Sequence, residues 1–191
     1  MSRIQEMFMV LKRGLHDIAM HMDTLAMLSP GKRVVELGCR SGNSTVSFLN
    51  GKPLWMKSYD NWSETTTPPA SIIQIHENAK LEGIDHELIT ANDLEIEIPE
   101  CDILFIDTLH IDWQLELELE LHAKKAKEMI VLHDTVTFGF FPEGEGQRYR
   151  GMGFALVHFL EKNPQWFISE HYLYNNGLMI LKRKTDGSWA Y

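Results

Sequence analysis

Five short apolar runs, each about a strand long and each followed by a segment of different spacing, leave this chain few folds to adopt. They are RVVELG (33–38), PLWMKSYD (53–60), HELITAN (86–92), CDILFID (101–107) and EMIVLHD (128–134). The most apolar of them read as strands covered on both faces. Strands that alternate with helices pair in parallel, because each crossover needs a dozen or more residues. NSTVSFLN (43–50) is one crossover helix, and a second opens at Pro68 and Pro69 and runs through Ile72, Ile73, Ile75 and Ala79 to Gly83. WQLELELELHAKKAK (113–127) alternates Leu and Glu with the period of a strand, yet it reads as a helix. Leu and Glu favour helix, Asp112 stands where a cap is needed, and three late lysines suit the helix dipole.

The remaining segments complete the pattern. Ile4, Met7, Phe8, Leu11, Leu15, Ile18, Met22, Leu25 and Leu28 recur at helical spacing over 3–28, ended by Ser29, Pro30 and Gly31. Its methionines suit either a partner-binding face or adaptable core packing, and the helix is also a candidate interface in a homo-oligomer. After a Gly-rich loop (138–153) and a helix (154–162), two strands flank Asn175-Asn176-Gly177, the signature of an antiparallel hairpin. The expected architecture is α/β: a seven-stranded, mostly parallel sheet with a terminal antiparallel hairpin and helices on both faces. It is expected to be a single domain over 1–191, with 1–29 a helical extension and 30–184 the core.

A net charge of −9 excludes the basic stripe that a nucleic-acid surface needs. Cys39 and Cys101 have neither metal-ligand nor disulfide-framework spacing and read as buried thiols of a reducing compartment. The N-terminus lacks an unbroken apolar signal core, and no run reaches the ~18 apolar residues of a membrane span. A cytoplasmic protein without membrane partners is the expectation.

Chemistry gathers at the carboxyl ends of the strands. VVELGCRSGNST (34–45) puts Gly38 and Gly42 between a strand and a helix, where backbone approaches a ligand closely. It is not the dinucleotide fingerprint: Arg40 stands where that loop wants its second glycine. Glu36 suits a positively charged ligand offering N–H donors. Asp60, ending the second strand, is placed to accept both hydroxyls of a ribose, and Asn92 and Asp93 to flank an adenine. FIDTLHID (105–112) and IVLHDT (130–135) deliver Asp107, His110, His133 and Asp134 to one crevice. His110 is the candidate general base, its ordinary pKa being near neutral; its bland alternative is a surface histidine. His133 reads as packing or supporting rather than ligating. Tyr59 and Trp62 are candidate pocket walls or core, and Arg148 and Arg150 are candidate clamps for an anionic substrate or solvated loop residues.

In element order and in VVELGCRSGNST, the chain resembles the class I S-adenosylmethionine-dependent methyltransferases. FIDTLHID and VLHDT resemble the small-molecule O-methyltransferases of the catechol, macrocin and cephalosporin-hydroxylase-like types. The resemblance spans about 30–184 and implies a Rossmann-like fold. It implies S-adenosylmethionine at Glu36, Gly38, Gly42, Ser44, Asp60 and Asn92, and a divalent cation such as Mg²⁺ at Asp107 and Asp134. The implied reaction is methyl transfer to a hydroxyl of a small acceptor, a sugar or a phenol, with Asp107 and His110 catalytic. Two positions depart from that pattern: Leu109 where a second acid is common, and His133-Asp134 where Asp-Asp or Asp-Asn is common. Two other readings stay open, a non-catalytic binding protein that keeps the pocket and a nicotinamide-dependent oxidoreductase.

Overall fold

The computed structural model describes residues 1–63, 65–144 and 148–184. The five alternating runs are strands β1 (Arg33–Leu37), β2 (Trp55–Asp60), β3 (His86–Thr90), β4 (Cys101–Ile106) and β5 (Ala126–His133). The C-terminal pair are β6 (Trp166–Tyr172) and β7 (Leu178–Arg183). All seven form one sheet in the order β3-β2-β1-β4-β5-β7-β6. The first five pair in parallel, and β7 runs antiparallel to β5 and β6. Strand order reverses between β1 and β4, and a ligand crevice opens at such a switch point. The hairpin turns through Asn175, Asn176 and Gly177 at φ 49°, 69° and 97°, a left-handed run that Asn and Gly tolerate best.

Among the described residues six α-helices cover the sheet: α1 (Arg3–Leu11), α2 (Met22–Leu28), α3 (Asn43–Asn50), α4 (Ala70–Leu81), α5 (Asp112–His122) and α6 (Met152–Lys162). Side chains alternate along each strand, so each strand serves two cores. Val34, Ile103, Phe105, Val131 and Ile180 pack under Phe8, Leu25, Phe48 and Ile75 of α1 to α4. Val35, Leu37, Leu104, Ile130 and Leu181 pack under Leu115, Leu119, Leu156 and Phe159 of α5 and α6. Cys39 and Cys101 are free, buried thiols, and among the described residues no helix is long and apolar enough to cross a membrane.

Two local expectations need correction. The spacing predicts one helix over 3–28, but the chain leaves it after Leu11 and resumes only through a 3-10 turn, Ala19–His21, into α2. Glycine is a poor helix former, and at Gly14 a Cβ would lie 2.9 Å from the His16 ring. His16 Nε2 instead donates to the Leu11 carbonyl at 2.8 Å, satisfying a backbone oxygen that the broken helix releases. The Leu–Glu segment is the helix α5, as its composition requires, but Asp112 is its first residue rather than its N-cap, and its Oδ1 accepts from the Trp113 N–H at 3.0 Å. Ile111 occupies the cap position without a side-chain bond, and the Asp112 carboxylate takes the Arg150 guanidinium at 2.8 Å.

The Phe48 and Phe105 rings meet edge to face at 5.4 Å across one core. Phe105→Ala is expected to destabilise the fold by about 3–5 kcal/mol, read from the urea midpoint, and a loss under about 1 kcal/mol would contradict this packing role.

Candidate functional site

The glycine loop is shaped from below and from both sides. At Gly38, φ is 79° and a Cβ would stand 2.1 Å from the Asp107 carbonyl oxygen, so only glycine lets the ends of β1 and β4 lie this close. Gly42, at φ 91°, has no room on its helix side, since a Cβ would strike Ile75 and Ile72 at 2.5 and 2.7 Å. Its part is to seat the loop on α4, and it does not line the cavity described below.

Glu36 lies elsewhere than the sequence suggests. It is wholly buried beneath the loop. Its Oε1 accepts from Ser44 at 2.6 Å, and its Oε2 from Thr45 at 2.7 Å and Ser58 at 2.5 Å. These partners leave it no contact with a ligand; Ser44, which it holds, is the one that lines the cavity. Burial pushes the Glu36 carboxyl up to about 7, against the three hydroxyls that favour its ionised form.

Asp60 does face the cavity. Oδ2 accepts from the backbone N–H of Cys39 at 3.0 Å and of Arg40 at 2.8 Å, and Oδ1 from that of Trp62 at 2.8 Å. A carboxylate has about four acceptor positions, so one on Oδ1 remains for a ligand. Asn92 is turned away: it caps the short turn Asp93–Glu95, accepting from Leu94 N–H at 3.2 Å and donating to Glu95 at 3.0 Å. Its neighbour Asp93 lines the cavity instead, bonded to Gln114 Nε2 at 3.2 Å. Gln114 also donates to Glu118 at 2.8 Å, and Thr108 donates to the same Glu118 oxygen. Burial, with Asp93 alongside, lifts Glu118 well above the usual carboxylate range. Sequence reasoning missed Gln114 and Glu118 because a Leu–Glu alternation assigns its acids to solvent. The one available signal was Gln114 itself, an uncharged amide at a polar position where the next three are glutamates.

The acid–histidine cluster forms where β4 and β5 end side by side, Ile106 paired with Leu132. His110 Nε2 is 3.1 Å from Asp107 Oδ1 and 3.4 Å from Asp134 Oδ2, and its Nδ1 donates to Glu143 at 2.7 Å. The His110 ring stacks on Phe138 at 5.0 Å. His133 Nδ1 is 3.2 Å from Asp107 Oδ1, and its Nε2 donates to the Asp17 carbonyl at 3.1 Å. Asp134 sits at φ 58°, a left-handed conformation that costs a residue with a Cβ about 1–3 kcal/mol. Its Oδ1 is buried and, among the described residues, has no hydrogen-bond partner.

Burial works against a charged imidazole at both histidines, but the facing carboxylates prevail. Asp107 and Glu143 raise His110 to about 10, and Asp107 and Asp134 raise His133 to about 9. Burial would raise Asp107, yet the two imidazoliums hold it far below the usual carboxylate range. Burial keeps Asp134 raised. The role of His110 as general base, expected from its ordinary pKa, is disfavoured in this arrangement, because both ring nitrogens face carboxylates that favour the charged form.

One cavity of about 590 Å³ joins the glycine loop to this cluster. Tyr59 and Trp62 wall it, and so do His16, Asp17 and Ile18 from the broken N-terminal segment, which a continuous helix would have hidden. Arg148 and Arg150 do not line it; Arg150 is paired with Asp112 and lies over the Phe154 ring at 4.7 Å. Asp107, His110 and Asp134 each present a donor atom within 4.8 Å of the others. Two carboxylates and an imidazole around a buried, unpartnered oxygen fit a divalent cation.

No protein-family model and no curated protein sequence matches the chain. Solved structures do. An O-methyltransferase from Bacillus cereus, in complex with SAH, superposes with a TM-score of 0.65 at 15% identity, covering 95% of this chain and 89% of that one. A Staphylococcus aureus protein provisionally named a caffeoyl-CoA O-methyltransferase gives 0.63 at 16% identity over 96% and 93%. A ribosomal protein L11 methylase from Lactobacillus delbrueckii subsp. bulgaricus gives 0.56 at 18% identity over 88% and 77%. The chain thus has the Rossmann-like fold of class I methyltransferases, shared at these identities by enzymes named for small-molecule and for protein acceptors.

Glu36 generates a pH prediction. Its folded pKa of about 7 exceeds the ordinary 4.5, so between those values the folded chain holds more protons than the unfolded one. Its contribution to stability is full below about pH 4.5 and is lost as pH rises through 7, a change of about 3 kcal/mol. Glu36→Gln cannot ionise, so its stability deficit against the parent should shrink by about that amount between pH 5 and pH 8. Chemical denaturation showing a pH-independent deficit would contradict the assignment.

Proposed function

We propose that this chain is an S-adenosylmethionine-dependent O-methyltransferase acting on a small hydroxylated acceptor, a sugar or a phenol, assisted by a divalent cation. The observation that carries the reading is the single cavity that spans Ser44 and Asp60 at one end and Asp107, His110 and Asp134 at the other. Its size suits a small-molecule site, and the fold is one on which SAH is bound in the Bacillus cereus structure.

The cofactor supplies an electrophilic methyl on a sulfonium. The acceptor oxygen attacks that carbon in line; the C–O bond forms as the C–S bond breaks, and the electron pair stays on sulfur. Alignment is the main requirement of such a displacement. Asp60 orients the cofactor by accepting from the ribose through Oδ1. Asp107, the most acidic carboxylate of the cluster, keeps its negative charge and favours the cationic cofactor. The cation, when bound by Asp107, His110 and Asp134, supplies a Lewis acid for the acceptor hydroxyl. Asp134 has the higher proton affinity of the two aspartates, and its free oxygen takes the hydroxyl proton.

Two measurements test this. SAH should bind calorimetrically while NADH does not, and Asp60→Ala should weaken SAH by about 10- to 150-fold, the value of one charge-assisted hydrogen bond. Labelled methyl from S-adenosylmethionine should pass to at least one member of a catechol and sugar panel. NADH binding, or an unchanged SAH affinity in Asp60→Ala, would refute the cofactor assignment; tight SAH binding with no transfer would leave a binding protein.

A further inference from the structure

We propose that His110 is a metal ligand, and that the centre it completes with Asp107 and Asp134 is built for a first-row transition ion rather than for Mg²⁺. The inference rests on the cation reading above and concerns the donor set this chain presents. Mg²⁺ is served by oxygen ligands and water, whereas an imidazole nitrogen shifts preference toward Mn²⁺, Co²⁺ and Zn²⁺.

Three features aim His110 at an ion. Its Nε2 lies 3.1 Å from Asp107 Oδ1 and 3.4 Å from Asp134 Oδ2, converging on one point with them. Its far nitrogen is engaged by a carboxylate: Glu143 Oε2 accepts from Nδ1 at 2.7 Å and from the His110 backbone N–H at 3.2 Å. A carboxylate on the outer nitrogen sets the tautomer and ring direction of ligating histidines. Stacking on Phe138, with the two ring planes 12° apart, blocks rotation. The independent mark of an absent partner is Asp134 Oδ1, buried on a left-handed backbone without a hydrogen bond, with His133 Nδ1 facing it at 3.4 Å. His133 stands behind the cluster, tethered to the Asp17 carbonyl and holding Asp107.

The test uses the whole chain, stripped with chelator and titrated calorimetrically with Mg²⁺, Mn²⁺ and Co²⁺, with the visible spectrum of the Co²⁺ form recorded. Co²⁺ should bind at least about 100-fold tighter than Mg²⁺. His110→Asn exchanges the nitrogen donor for oxygen. It should leave Mg²⁺ within about 3-fold, weaken Co²⁺ by about 100-fold, and change the Co²⁺ spectrum. Glu143→Gln, on the exposed loop, should weaken Co²⁺ by about 10- to 100-fold, and SAH binding reports that each variant is folded. The proposal is overturned if no ion binds, if Mg²⁺ matches Co²⁺, or if folded His110→Asn keeps the parent's Co²⁺ affinity and spectrum. Methyl transfer by a parent chain that binds Mg²⁺ as tightly as Co²⁺ would sink this inference and leave the methyltransferase reading intact. A His110-dependent Co²⁺ spectrum without transfer to any acceptor would sustain it and remove the other.

Discussion

The top of the sheet is organised by one buried carboxyl. Glu36 gathers hydroxyls from two elements, Ser44 and Thr45 of α3 and Ser58 of β2, and so pins the start of α3 against the strands. Ser58 has a single O–H, given to Glu36, so the 3.2 Å contact with His86 requires the Nε2–H of His86 to donate to it. Nδ1 of His86 then accepts from His76 at 3.2 Å, and burial keeps His86 neutral by lowering its pKa to about 3. A line of hydrogen bonds thus runs from beneath the glycine loop through β2 and β3 to α4. The loop holds its shape before any ligand arrives, and Asp60 fastens it from above through two backbone N–H groups.

That rigidity is what brings two kinds of chemistry together. With the loop fixed, Gly38 lies against the backbone of Asp107, and the glycine-loop end of the cavity shares a wall with the acid–histidine end. At the strand-end cluster, carboxylates and imidazoles alternate closely enough to compensate one another inside a chain of net charge −9. Each group's protonation is set by its neighbours. Asp134 is the exception, strained at its backbone and incompletely bonded at its side chain, as functional positions often are.

The sheet was legible because periodicity and element order are properties of the chain itself. Even the Leu–Glu segment yielded once propensity and the need for a crossover were weighed against its period. The site was legible only to the position. That Asp60, Asp107 and Asp134 end adjacent strands follows from topology, but the direction of a side chain beside a strand end does not. Glu36 points inward and Asn92 caps a turn, while Asp93, one residue on, faces the cavity. The protonation of His110 depends on Glu143, 33 positions away in a loop without periodicity. The break at Gly14 was hidden because apolar residues on both sides of it keep helical spacing.

That break separates two properties that a sheet of this kind usually joins. His16, Asp17 and Ile18 wall the cavity, and the Asp17 carbonyl holds His133 from outside the sheet. Ile4, Phe8, Met22 and Leu25 anchor the flanking helices in the same core as α3 and α4. The acid–histidine cluster belongs to the strand ends, but the shape of the space above it is borrowed from a segment that precedes the first strand. The shape of the cavity can therefore change through the side chains of residues 16 to 18 alone, with the strand-end residues beneath left as they are.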